Sequence, residues 1–169
     1  MRKKIYWILG IVCLFLFGSS VIRAEKLSVP ACDFIAEGHQ AGQLQLNNEW
    51  GDHFWRQANA SEEWYYAPVN LPHGAIVTGI RLHFVDNSDY NILCFLGRVN
   101  KYNGVRTAIY SLWTSGRSSV VRHETDLSPL NPPYALINNT VCTYWIGIQF
   151  WGGFGGTNRK IYGVTIYYE

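Results

Sequence analysis

The chain has 169 residues with 14 basic and 12 acidic side chains, but Arg2, Lys3, Lys4 and Arg23 all precede Glu25 and no acid does, which leaves ten basic against twelve acidic residues, or −2. A slightly acidic body without basic runs has few cations to displace phosphate counterions, which excludes nucleic acid as a partner. Eleven Tyr, eight Phe and seven Trp against one Met favour pleated sheet over helix, because large rigid rings pack well on strands.

The N-terminus reads as a secretory signal peptide over residues 1–24. Arg2 to Lys4 form a basic start, Ile5 to Gly18 an apolar run, and "SSVIRA" offers cuts after Ser20 or Ala24. The rival is an uncleaved anchor, since Ile5 to Ile22 is an 18-residue stretch without a charge. Either version exports the chain, and a membrane enters only through this segment. Residues 25–169 then form one domain, long enough to bury roughly two-thirds of its surface.

From residue 25 onward, strand-like runs follow one another at short intervals, with no amphipathic helix or repeat. The pattern predicts strands near 32–37, 42–47, 63–70, 76–86, 91–101, 106–114, 118–124, 134–137, 141–151 and 159–168. Ile80, Leu82 and Phe84 alternate with Arg81 and His83. Tyr144, Ile146, Ile148 and Phe150 alternate with Trp145, Gly147, Gln149 and Trp151. Period-two patterning gives each strand one buried and one wetter face, as in antiparallel sheets. "DNSDYN" (86–91) and "KYNGV" (101–105) read as hairpin turns, because Asn, Asp and Gly tolerate positive φ. The prolines and glycine of "PVNLPHGA" suit a bend between strands and need no chemistry from His73. Such punctuation predicts an all-β, antiparallel two-sheet sandwich of jelly-roll type.

Cys13 lies in the leader, so Cys32, Cys94 and Cys142 remain. An odd count in an exported chain leaves one thiol over. One expectation is a Cys94–Cys142 disulfide with Cys32 free or pairing between chains. The other is three independent buried or paired cysteines.

"YYAPVNLPHGAIVTGIRLHFVDN", preceded by "SVPACDF" and closed by "IYGVTIYYE", resembles a family of exported bacterial proteins of unknown function. Its members share an aromatic-A-P-V-x-L-P-x-G-A-x-V-T block and a Y-G-V terminal strand. "NLPHGAIVTGIRLHF" is also similar to the L-P-x-G-A-x-I/V strand opening of jelly-roll carbohydrate-binding modules. The resemblance implies an exported β-sandwich and supplies no catalytic residues. Cys32 stands where members of that family have Ala.

Motifs for catalysis are missing: the sequence has no Gly-x-Ser-x-Gly elbow, His-Glu-x-x-His pair, Walker loop or dinucleotide fingerprint. "WGGFGGTN" is glycine-rich but lacks the Lys-Ser/Thr of a phosphate loop, and reads as a plain loop. Asp52 with His53, and His123 with Glu124 and Asp126, are metal-ligating types. Adjacent strand residues point to opposite faces, however, so these read as turn or surface groups. Asp86, Asn87 and Asp89 offer too few oxygens for calcium. We therefore expect no enzyme, no metal and no cofactor. Asn59 and Asn138 head N-glycosylation triplets that matter only in a host performing that modification.

Binding has better candidates. Trp50, Trp55 and Trp64 crowd a polar segment, and the outer face of the 141–151 strand offers Trp145, Gln149 and Trp151. Flat rings beside amide groups suit a sugar, whose C–H face is apolar and whose edge hydrogen-bonds. Gln149 and Arg81 would fix orientation. The expected function is thus a secreted or extracytoplasmic, non-catalytic β-sandwich binding glycan or cell-surface material. The alternatives are a self-associating homo-oligomeric surface component and, less favoured, an exported hydrolase.

Overall fold

The computed structural model describes residues 24–36, 44–46, 53–56, 64–152 and 158–169. Residues 1–23 of the expected leader, Trp50, Asp52, the Asn59 triplet and most of the glycine-rich loop lie outside them. Eleven strands are described: β1 (Glu25–Pro30), β2 (Ile35–Ala36), β3 (Leu44–Leu46), β4 (Phe54–Arg56), β5 (Trp64–Val69), β6 (Val77–Asp86), β7 (Ile92–Asn100), β8 (Arg106–Trp113), β9 (Ser118–Asp126), β10 (Cys142–Phe150) and β11 (Arg159–Tyr168). They pair antiparallel in two sheets. One has the order β3-β4-β11-β6-β9 with β1 also on β11, and the other the order β2-β5-β10-β7-β8. The protein is an all-β jelly-roll sandwich.

Alternation builds the core. Tyr144, Ile146, Ile148 and Phe150 of β10 meet Ile80, Leu82 and Phe84 of β6 and Ile161, Val164 and Ile166 of β11, all buried. The buried Tyr110 of β8 donates its hydroxyl across the interior to the Val77 carbonyl at 2.9 Å, so its polar end is satisfied. Consecutive strands mostly alternate between sheets, so most connections cross an end of the sandwich.

The predicted long strands match β5 to β11 closely, two predicted local features differ, and two strands were not predicted. The 134–137 segment is a 3-10 turn at Pro132–Tyr134 followed by a single bridge between Ile76 and Leu136. Pro132 and Pro133 have no N–H to give a ladder. The turn at 86–91 joins β6 to β7, which belong to different sheets, so it is a crossover and not a hairpin. Asp86 anchors it: buried, it accepts from Ser88 Oγ at 2.9 Å and from Thr114 Oγ1 at 2.6 Å, while Thr114 Oγ1 accepts from the Ile92 amide. Strands β1 and β4 were not expected. They share one edge of β11, with β1 along Gly163 to Tyr168 and β4 at Ile161.

The turn at 101–105 is a hairpin, with Gly104 at φ 70° and Asn100 and Asn103 accepting from the backbone two residues on. The Pro-His-Gly bend is a turn, as expected. Gly74 has φ 85°, its amide donates to the Ile137 carbonyl, and His73 Nδ1 accepts from the Asn139 amide at 3.1 Å.

The expected Cys94–Cys142 disulfide does not form. Both residues point into the core from neighbouring strands, but Cys94 lies opposite Ile148 and Cys142 opposite Asn100. Six residues of ladder separate them, roughly 20 Å, whereas a disulfide needs Cα atoms within about 7 Å. All three thiols are free: Cys32 exposed, Cys94 and Cys142 buried. Burial also pushes the Cys94 thiol up, away from the reactive thiolate. Peptide mapping after brief alkylation is therefore expected to find Cys32 modified in the native protein and Cys94 and Cys142 only after denaturation. Native labelling of either buried thiol would contradict this packing.

Candidate functional site

The outer face of the five-stranded sheet is apolar where a solvent face is ordinarily polar. Register sets out its rows. Trp113, Leu93, Gln149 and Trp64 lie side by side across β8, β7, β10 and β5. The next row places Ser111, Phe95, Gly147 and Tyr66, with Ile35 beyond on β2. The third holds Ala108, Gly97, Trp145 and Pro68. Rows on one face follow at about 7 Å along the strands.

The rings on these rows touch one another. Trp145 meets Phe95 at 4.5 Å and Tyr66 at 5.0 Å between centroids, both nearly perpendicular. Trp64 stands edge-to-face on Phe95 at 5.2 Å and parallel to Tyr66 at 6.2 Å. Such edge contacts are favourable for the ring quadrupoles. Two glycines make the arrangement possible. A Cβ on Gly97 would lie 2.7 Å from the Trp145 ring, and one on Gly147 would run into the Phe95 ring and lie 2.8 Å from Trp145. The rings lie against bare backbone. Beside them, a groove of about 210 Å³ is lined by Tyr66, Val99, Arg106 and Trp145.

A second aromatic pair ends the face. Trp151 packs on Trp113 at 5.5 Å, and each is 44% exposed. Gln149, predicted to hold a ligand, is buried, and its Oε1 accepts from Trp151 Nε1 at 2.7 Å. It therefore orients an indole. The guanidinium of buried Arg159 donates to the Trp151 carbonyl at 2.6 Å and fixes the backbone there.

Of the residues singled out from sequence, Trp64, Trp145, Gln149 and Trp151 come together on this face. Trp55 lies on β4 by its backbone, in the other sheet, and Trp50 is outside the described residues. Arg81 is on β6 and faces away from the sandwich on the opposite side. Its Nε donates to Thr125 Oγ1 at 2.8 Å and its guanidinium lies 5.4 Å from the Tyr167 ring. Arg81 cannot orient a ligand held by Trp145. Phe95, Gly97, Val99, Arg106 and Trp113 were missed, and Gly147 was placed on the outer face of its strand without a role. Only the parity of β7 and β8 pointed to the missed residues, and parity alone does not say which strands are neighbours.

The outer face of the other sheet is polar. His83 lies directly opposite His123, with ring centroids 6.2 Å apart, and His83 Nε2 shares a hydrogen bond with Thr165 Oγ1 at 3.1 Å. Glu124 points the other way and accepts from the Ser115 amide and hydroxyl. Asp89 pairs with Arg117 on the surface. Among the described residues no three His, Cys, Asp or Glu side chains converge as metal ligands.

Burial first, then the nearby His123 and Arg81, hold the His83 pKa below its ordinary 6.5. As pH falls below that value the unfolded chain takes up this proton before the folded one. The His83 contribution is therefore complete above about 6.5 and is lost on acidification. Denaturation midpoints are expected to fall from pH 7.5 to pH 5, and His83→Asn is expected to flatten that fall. An unchanged slope would remove the assignment. On the aromatic face, Gly147→Ala is expected to cost about 1–3 kcal/mol in urea unfolding, because Phe95 must leave its place. A neutral result would mean that the rings are not seated on the backbone.

No protein-family model matches the chain, and no curated protein matches its sequence. Solved structures do share its fold. The C-terminal family 6 carbohydrate-binding module of the laminarinase LamC from Zobellia galactanivorans is 14% identical, with 84% of this chain and 98% of that one covered at a TM-score of 0.51. The xylan-binding module CBM15 is 12% identical, covering 86% and 97% at 0.53. The CBM22-1–GH10 modules of endo-1,4-β-D-xylanase 10B from Clostridium thermocellum, complexed with xylohexaose, are 10% identical, covering 88% of this chain and 28% of that one at 0.53. At these identities the likeness is one of fold.

Proposed function

We propose that the protein is an exported, non-catalytic domain that binds glycan through the outer face of its five-stranded sheet. One observation carries this: the half-buried Trp64, Tyr66 and Trp145 form an aromatic platform on the outer face, packed around the buried Phe95 and bordered by an open groove. A platform of that kind offers rigid apolar area to the C–H faces of sugar rings at low conformational cost. The names of the three similarly folded structures, two of which mention xylan or xylohexaose, support the reading by analogy of fold. Export rests on the basic-apolar-small order of the first 24 residues and on the likeness to exported bacterial sandwiches. Both are read from sequence.

Self-association has one observation in its favour, the exposed Val120 and Val121 on the edge strand β9. Two valines offer far less contact area than a platform drawn from β5, β7 and β10.

The test is a panel of soluble polysaccharides read by affinity electrophoresis and titration calorimetry. Trp145→Ala is expected to weaken binding to any glycan retained by the wild type by at least about 1 kcal/mol, with Trp151→Ala showing the extent of the site towards that end. A panel with no binder, or a Trp145→Ala variant that binds as well as the wild type, would falsify the proposal.

A further inference from the structure

Across the outward positions of β2, β5, β10, β7 and β8 there is one charged side chain, Arg106. It sits opposite Val99, one row beyond Ala108 and Gly97 and therefore about 7 Å further along the strands. It lines the groove together with Tyr66 and Trp145. Other arginines are engaged within the fold: Arg122 clamps the carbonyls of Ser115 and Gly116, Arg98 lies 3.5 Å over the Tyr134 ring, and Arg159 holds the Trp151 carbonyl. Arg106 is exposed, and its side chain makes no hydrogen bond or ion pair with a described residue. Its planar fork of N–H donors is free for an incoming anion.

We propose that this groove selects sugars bearing an anionic substituent, a ring carboxylate or a sulfate ester, and that Arg106 reads the charge. The inference rests on the glycan-binding reading above and adds the class of glycan. Trp145 and Tyr66 supply the apolar surface for the ring, and the guanidinium supplies two parallel donors to the oxyanion. No carboxylate occupies an outward position on these five strands, so nothing on the face repels the ligand or competes for the guanidinium. Trp145 over Gly97, with the small Ala108 beside it, keeps the floor low between the ring and Arg106, which leaves room for a substituent that projects from the sugar edge.

The experiment compares matched polymers: polygalacturonate with its methyl-esterified form, and dextran sulfate with dextran. The intact wild type, Arg106→Gln, Arg106→Lys and Trp145→Ala are each titrated at low and at physiological salt. The wild type is expected to bind one charged polymer about tenfold tighter than its uncharged counterpart, with the preference shrinking as salt screens it. The pair that shows the difference tells carboxylate from sulfate. Arg106→Gln is expected to erase the preference, bringing the charged and uncharged polymers of a pair to equal affinity, and Arg106→Lys to keep part of it. Trp145→Ala is expected to weaken charged and uncharged polymers alike. Because Arg106 is exposed, its variants are expected to fold, and their denaturation midpoints check this.

Equal wild-type affinity within both pairs overturns the charge assignment and leaves glycan binding standing. A preference that survives in Arg106→Gln also overturns it, and identifies Arg106 as a guard of the β8 edge. Failure of the wild type on all four polymers, with a neutral glycan bound elsewhere in the panel, overturns it as well. No binding to any glycan removes both proposals.

Discussion

Strand β10 carries large apolar rings on both faces, and the rest of the molecule follows from having to cover each of them. Its inner side chains are covered by the six-stranded sheet and disappear into the core. Its outer side chains have no second layer among the described residues. The five-stranded sheet covers them with its own rings, seated on glycine backbone at positions 97 and 147. A glycine in a strand interior gives up packing and adds conformational freedom to the unfolded chain. Here the neighbouring strand returns that loss, as Trp145 and Phe95 each extend over a glycine directly opposite on the adjacent strand. The platform and the core are thus two uses of one alternating pattern.

How much of this was legible follows from what a single strand records. Parity within β6 and β10 gave the inner residues correctly, because alternation is a property of one strand; in β11 the register shift between Ile161 and Gly163 breaks the alternation and turns Ile161 into the core. Which strands become neighbours is a property of the whole chain. For that reason Arg81 and Trp145 were assigned to one site although they face opposite sides of the sandwich. Register has the same standing. Cys94 and Cys142 share a face and adjacent strands, yet the ladder separates them by six residues. The Phe95–Gly147 and Trp145–Gly97 pairs exist only once register is fixed. Short strands were missed because β1 and β4 are held by the edge of β11 more than by their own composition. The turn at 86–91 looked like a hairpin because Asn, Asp and Ser favour tight turns whether the chain returns to the same sheet or passes to the other.

Polar groups at the ends of the sandwich explain why the platform has a defined end. The crossover after β6 is pinned by buried Asp86 through Ser88 and Thr114, and the Thr114 hydroxyl also holds the first amide of β7. Thr114 directly follows Trp113, so this buried knot fixes the base of one exposed indole. Buried Arg159 does the same for the other through the Trp151 carbonyl, and Gln149 sets its ring by accepting from Nε1. A buried hydrogen bond of this kind is costly to break, because the partner left behind stays unsatisfied. The Trp113–Trp151 end is therefore held by polar bonds from beneath, whereas the Trp145 region is held by ring contacts and by the absence of Cβ atoms.

That difference bears on what each region is suited to recognise. Rings that fix one another edge-to-face have little freedom left to lose, so a ligand laid on Trp64, Tyr66 and Trp145 would gain contact area without ordering the surface first. Area of this kind is tolerant: it accepts any flat apolar face of suitable size, and it discriminates poorly between sugars that differ at one substituent. Discrimination needs a group whose satisfaction depends on that substituent, because leaving a donor or acceptor unpaired is what separates close analogues. Arg106 has hydrogen-bonding capacity to offer beside the platform, whereas Gln149 is already committed to Trp151 and Arg81 faces the other way. Under the proposed reading, a hydrophobic floor with one exposed charge at its border would divide affinity from selectivity between different residues, so that either property would be open to change without rebuilding the other.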